Sequence, residues 1–187
     1  REFGYDAYTR SLYKKETKKD VPANPADQAW MRWRANKITA FMTQLKKVVK
    51  DRKPNAIVSI SPNYYDFAYK FHLQDWLAWV RQGIADELIM QVYRPNLQSF
   101  IEKISRPEVQ VAQQKIPTGV GVFTGQRTNP VSMRQIQEQT QAARDRGLGV
   151  AYFYYESLWD IAPEPASDRQ AGFQLLFPAP AYRSAFR

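Results

Sequence analysis

Gly149-Val150-Ala151-Tyr152-Phe153-Tyr154-Tyr155-Glu156-Ser157-Leu158-Trp159 is an apolar, aromatic-rich run with one carboxylate near its end. Rich in strand formers and preceded by Gly147, it predicts a buried β-strand. Three further runs share its length and hydrophobicity: Ala56–Ser61, Glu87–Tyr93 and Thr118–Thr124. The four starts fall at 56, 87, 118 and 149, each 31 residues after the last, with a helix-like segment in most of each gap. That rhythm is one of successive βα units, whose parallel strands read as continuous apolar runs because both faces are covered. Enzymes built on such sheets keep their chemistry at the carboxyl ends of the strands, which is where Glu156 falls.

Working outward, Ala56–Ser61 puts Val58 and Ile60 on one face and Ser59 and Ser61 on the other, so a barrel would carry the serines inward. Glu87–Tyr93 places Gln91 and Tyr93 opposite Met90 and Val92. Gly119 and Gly121 share a face of the third run, where a bulky group is expected to approach closely. Between the runs, Leu73, Trp76, Leu77 and Val80 make one apolar stripe, and Leu97, Phe100, Ile101 and Ile104 another. Pro107 argues against an uninterrupted helix over 105–117. Ser132 with Gln135 has a capping-box pattern opening a helix through Met133, Ile136, Thr140 and Ala143, and Ser167 with Gln170 suggests a second. Upstream, Asn24-Pro25 is an expected helix start, followed by a buried stripe of Met31, Ile38, Phe41, Met42, Leu45, Val48 and Val49. Residues 1–24 show no sustained period and read as a long loop. Four βα units after a strandless helix predict an α/β fold: the C-terminal half of a (β/α)8 TIM barrel, four parallel strands with helices outside. A small doubly wound sheet is the alternative.

With 187 residues, 44% of them hydrophobic, one domain with a real core is expected. No apolar run is long enough to span a membrane. There is no cysteine, hence no disulfide or thiolate chemistry. The charge of +9 is uneven: residues 1–55 carry 14 Lys/Arg against 6 Asp/Glu, and the remainder 13 against 12. A basic first quarter can bind anionic polymer, and the simpler reading is a solvated helix face; no nucleic-acid partner is expected. GxGxxG, Walker A and HExxH motifs are absent, and the one histidine, His72, sits in a helical stretch, so no cofactor and no metal site are expected.

Carboxylates at strand ends remain. Glu156 and Asp66 are the catalytic candidates, with Asp160 and Asp6 also able to reach that end. Two carboxylates suit glycoside hydrolysis, in which one protonates the leaving oxygen while the other attacks the sugar or activates water. Tyr64, Tyr65, Tyr93, Tyr154, Tyr155 and Trp159 lie near the same end, and flat rings offer faces on which a sugar can stack. The substrate-binding candidates are Ser61, Asn63, Tyr64, Gln91, Tyr93, Arg94 and Trp159. The competing reading makes the aromatics core and Glu156 a structural ion-pair partner.

At these residues the chain resembles the bacterial glycosyl hydrolase-like 10 family. The resemblance rests on FGYDAYT (3–9), LYKKE (12–16), WMRWRANKITAFM (30–42), VSISPN (58–63), QDWLAWVRQGIADELIMQVYR (74–94), IPTGVGVFTG (116–125), GVAYFYYESLW (149–159) and FQLLFP (173–178). It implies an envelope-associated, extracytoplasmic (β/α)8 barrel acting on polysaccharide or peptidoglycan-type glycans. It also implies that residues 1–187 form a partial domain, with the first half of the barrel and an acidic pair upstream of Arg1. By position, Ser61, Asn63, Tyr93, Arg94 and Glu156 become cleft residues. The expected function is a carbohydrate-active domain, in the full-length protein a glycoside hydrolase using carboxylate acid/base chemistry. The alternative is a non-catalytic glycan-binding or envelope-scaffold domain. A half-barrel exposes sheet edges and its lumen face, so the isolated chain is expected to be inactive and to pair as a homodimer through that open face.

Overall fold

The computed structural model describes residues 3–180. They pack as two compact units: the chain up to Val58 together with Pro62–Ala85, and Ser59–Ser61 together with the chain from Asp86 onward.

The first unit is helical. Its α1 (Ala7–Thr17) lies inside the expected loop, of which residues 1 and 2 fall outside the described residues. Asp6 caps it, accepting from the Thr9 amide at 2.9 Å and the Thr9 hydroxyl at 2.7 Å. The helix was invisible to periodicity because it buries one side chain, Tyr13. Tyr13 meets Trp30 and Trp33 edge-on, with centroids 5.0 and 5.2 Å apart. Glu16 accepts from Trp33 Nε1 at 2.7 Å and from Lys37 Nζ at 2.6 Å. Tertiary contacts therefore hold a helix whose local pattern is weak. Asp6 and Glu16 have carboxyls held below their ordinary ranges, Asp6 chiefly by the Thr9 hydroxyl and Glu16 chiefly by Lys37. Such groups stabilise the fold fully above their unfolded values, and that contribution is lost as pH falls through the lowered folded ones. Acidification below the ordinary carboxylate range is thus expected to fray α1 first. Loss of Thr9 amide protection ahead of the sheet amides in hydrogen exchange checks this.

Asp27, rather than Asn24, caps α2 (Gln28–Arg52), its carboxylate accepting from the Trp30 amide at 2.9 Å. Asn24 closes a turn onto the Ala26 amide instead. Fully buried Trp30 packs under Arg34, whose guanidinium lies 4.6 Å from the ring centroid and donates to the carbonyls of Phe3 and Pro25. The apolar stripe is not buried throughout: Phe41 and Val48 are 61% and 58% exposed, and Leu45 is exposed as well. Two short helices follow, α3 (Tyr65–His72) and α4 (Trp76–Arg81), separated by Leu73 in the left-handed region. Asp75 caps α4 and accepts from the Tyr65 hydroxyl at 2.9 Å.

The second unit is an α/β layer. In chain order it holds β1 (Ser59–Ile60), β2 (Glu87–Gln91), α5 (Leu97–Ile104), α6 (Pro107–Gln113) and β3 (Thr118–Phe123). There follow β4 (Gly125–Gln126), β5 (Asn129–Pro130), α7 (Met133–Arg144), β6 (Gly149–Phe153), α8 (Tyr155–Trp159) and α9 (Ala166–Leu176). The four main strands are parallel in the order β1-β2-β3-β6. Among the described residues the order never reverses, so they form no switch point of the doubly wound kind. The sheet is part of a (β/α)8-type layer, and the doubly wound alternative is set aside.

Leu88, Met90, Val92, Val120 and Val122 are fully buried, and α6 and α7 pack against β3. The opposite face carries Ser59, Gln91, Ala151 and Phe153, of which all but half-buried Gln91 are exposed. Its glycines are needed for close approach. A methyl on Gly119 would lie 2.9 Å from the Gly149 carbonyl oxygen, and one on Gly121 3.3 Å from the Tyr93 ring. The decisive stretch itself is shorter and less buried than predicted. Its strand stops at Phe153 with alternating exposure, because β6 is an end strand of this sheet, and the chain then turns into α8. The segment after β3 forms an antiparallel hairpin of β4 and β5. One further expectation is corrected: α9 starts after Pro165, with Ser167 inside it bonded to Asp168 rather than capping. Ser132 does cap α7, and Pro107 opens α6 at its first turn.

Candidate functional site

Residues at the carboxyl ends of β2, β3 and β6 come together within the second unit. Tyr93 follows β2, and its ring stacks on Phe153 at 5.1 Å between centroids with planes 22° apart. Phe123 lies 5.8 Å from Tyr93, and Tyr154 5.3 Å from Phe153. Phe153 is 48% exposed and Tyr155 74%, so the cluster presents ring surface rather than burying all of it. Burial pushes the Tyr93 phenol up, so it remains a neutral donor across the neutral range. Beside the rings, Gln91 Nε2 donates to the Ser61 carbonyl at 2.8 Å and to the Ser61 hydroxyl at 3.5 Å, and Ser61 is exposed.

The turn after β6 is braced from behind. The Phe153–Tyr154 peptide is cis. The Thr124 amide donates to the Phe153 carbonyl at 2.9 Å. The Thr124 and Ser157 hydroxyls meet at 2.6 Å, and Ser157 also bonds both the amide and the carbonyl of Tyr154. Thr124 and Ser157 are fully buried, and they fix the backbone from which Phe153, Tyr155 and Glu156 project. Nothing in their residue types marked them. Glu156 lies three positions past the strand, in the first turn of α8, exposed to solvent. Asp160, four residues on, is also exposed and bonds the Glu156 carbonyl through its amide. Positions four apart share one helix side, so these two carboxylates cannot flank a bond from opposite faces. Trp159 turns its ring toward Phe173, 5.8 Å away, a packing contact with α9.

Arg94 ends the β2 exit. Its Nη1 donates to the Tyr93 carbonyl at 3.1 Å, and its own carbonyl accepts from Gln135 at 3.4 Å and Gln139 at 3.1 Å. Gln139 is fully buried within the apolar stripe of α7, where a polar side chain on a buried face signals a bonded role. Tyr93, Arg94, Pro95, Phe123, the β5 residues Asn129 and Pro130, Val131 and Gln135 line a cavity of ≈ 190 Å³.

The remaining candidates belong to the first unit. Asn63 accepts from Trp76 Nε1 at 3.1 Å through its carbonyl, and Tyr64 precedes α3 with its ring 5.8 Å from Phe67. Asp66 sits in the first turn of α3, where a carboxylate also favours the helix dipole. Among the described residues no cluster of three His, Asp or Glu could hold a metal, and no helix is long and apolar enough to cross a membrane.

Compared with known proteins, residues 1–143 match the family model described as Glycosyl hydrolase-like 10, and no curated protein matches. The matched span includes Ser61, Asn63, Tyr64, Asp66, Gln91, Tyr93 and Arg94 and ends before β6, so Glu156 and Trp159 lie beyond it.

Proposed function

Because the chain belongs to the glycosyl hydrolase-like 10 family, we propose that its sheet forms one wall of a glycan-binding cleft in a carbohydrate-active barrel, of which these strands are the C-terminal half. The observation that carries this reading is the Tyr93–Phe153 ring pair, stacked at 5.1 Å on the open sheet face beside Gln91 and Ser61. Rings supply the apolar face of a sugar with a partner, and the amide and hydroxyl beside them select its orientation. In this reading Glu156 is the acid/base or a substrate-binding carboxylate, and the substrate is an envelope polysaccharide met outside the cytoplasm of a bacterium. The second carboxylate belongs to the other half of the barrel.

A second reading, a non-catalytic glycan-binding or scaffold domain, is favoured by one specific feature: Glu156 and Asp160 rise from the same side of one helix. Binding separates the glycan readings from a polymer-binding role for the basic Arg32–Lys53 helix, which would fall steeply with salt. Titration of the monomer, isolated by sedimentation, with chito-, cello- and xylotetraose is expected to shift the Tyr93 and Phe153 ring resonances for at least one of them. Phe153→Ala is expected to weaken that affinity by about tenfold, the scale of one stacking contact. Ring resonances unmoved by all three sugars would remove the platform reading.

A further inference from the structure

Tyr93 brings to the platform a hydroxyl as well as a ring. It follows β2, Phe153 ends β6, and β3 runs between those strands, so the two rings meet across β3. They can do so because Gly121 has no side chain: a methyl there would lie 3.3 Å from Tyr93 Cε1 and 3.7 Å from its hydroxyl oxygen. The hydroxyl is thereby held over bare backbone, within a surface otherwise made of Phe123 and Phe153 rings. Burial alone displaces its phenol, with no hydrogen bond contributing, and the oxygen is not sealed from solvent. Among the described residues the Tyr93 hydroxyl therefore has no partner. Its neighbours differ in this respect. Gln91 Nε2 is committed to the carbonyl and hydroxyl of Ser61, and the Thr124 and Ser157 hydroxyls bond each other. A neutral phenol can both donate and accept. Any ligand that covers the rings strips water from this hydroxyl, and a polar group left dry and unpaired costs the complex stability.

We propose that the Tyr93 hydroxyl sets the specificity of the platform: a sugar lying on the Phe153 ring presents one of its own hydroxyls to it above Gly121, and a sugar with only hydrogen at that position is rejected. Stacking alone discriminates poorly, because every pyranose has an apolar face. A site that must bond a hydroxyl discriminates well, because the analogue lacking it leaves the protein's own polar group unpaired. The proposal rests on the platform reading above and adds to it the contact by which one sugar is told from another.

The test titrates chito-, cello- and xylotetraose into the whole chain by calorimetry. The tightest-bound of the three is then compared with its monodeoxy derivatives, each lacking one ring hydroxyl. Tyr93→Phe keeps the ring pair and removes the hydroxyl, and it is expected to weaken the tightest tetraose by about three- to tenfold, the net scale of one hydrogen bond. One monodeoxy derivative is weakened by the same factor on the wild-type chain and loses nothing further on Tyr93→Phe, the non-additivity of two groups in direct contact. Phe153→Ala weakens every probe, and unchanged far-UV circular dichroism certifies each variant. The deoxy series on the wild-type chain is decisive whether or not a variant folds: equal binding of all the derivatives and the parent overturns the hydroxyl contact. Wild-type affinity in Tyr93→Phe, or losses that add for every derivative, also overturns it, and the platform stands as long as Phe153→Ala weakens binding. Binding of none of the three tetraoses, or binding indifferent to Phe153→Ala, overturns the platform and the contact together.

Discussion

Arg169→Met lowers the unfolding free energy by roughly 3–5 kcal/mol, the cost of removing one member of a buried ion pair. Arg169 is fully buried in α9. Its Nη1 and Nη2 donate to the Val131 carbonyl at 3.1 and 2.7 Å, and Nη1 also reaches Glu164 at 3.1 Å. The same Glu164 oxygen accepts from the Met133 amide at 2.8 Å, so one carboxylate joins the first turn of α7 to the guanidinium. Burial pulls the Arg169 pKa down and Glu164 opposes it, the pattern of a cation held by its partners rather than by water. Methionine fills similar space and leaves the Val131 carbonyl and Glu164 without their donor. Urea denaturation followed by tryptophan fluorescence and circular dichroism measures the loss. The double variant Glu164→Gln/Arg169→Met should recover part of it, since the stranded charge is then gone. A loss below about 1 kcal/mol would assign the tie between α7 and α9 to apolar packing, for which the methyl-free Gly172 against Met133 is the alternative contact.

Glu156→Gln lowers glycan turnover by at least about a hundredfold in a protein that carries both halves of the barrel, the loss expected for a missing general acid or base. The carboxylate is exposed, in the first turn of a short helix whose backbone is pinned by Ser157. Glycoside hydrolysis needs a second carboxylate on the far side of the bond, about 5–5.5 Å away for retention or about 6.5–9.5 Å for inversion. Asp160 shares the helix side of Glu156, so the 187-residue chain alone is expected not to hydrolyse glycans. Reducing-sugar release measures both statements. Unchanged turnover in the variant would give Glu156 a structural or binding role. Cleavage by the isolated chain, abolished by Glu156→Gln, would show that the second carboxylate lies within these 187 residues.

The parallel strands were legible because burial of one sheet face writes itself into composition: Leu88, Met90, Val92, Val120 and Val122 are apolar for the same reason that they are fully buried. The close approach at Gly119 and Gly121 was legible too, since few causes other than crowding place two glycines on one strand face. The gathering of Tyr93, Arg94 and Gln91 at the carboxyl ends of the strands was legible. Its supports were less so. Thr124 and Ser157 act by bonding a turn that forms only when β3 and β6 are side by side, and Gln139 acts on a carbonyl 45 residues away.

Local chemistry by itself determined the number of βα steps, their parallel sense and the end of the sheet at which ring and carboxylate side chains collect, because all three follow from periodicity and strand polarity. Only the tertiary structure decided which signals won where the sequence offered several. Asp27 rather than Asn24 caps α2, and α1 exists because Trp30 and Trp33 await Tyr13. The stripe through Phe41 and Val48, read as buried, faces solvent. Each of these outcomes depends on whether a partner surface is present, and a helical or strand period states that a face is apolar without stating what covers it.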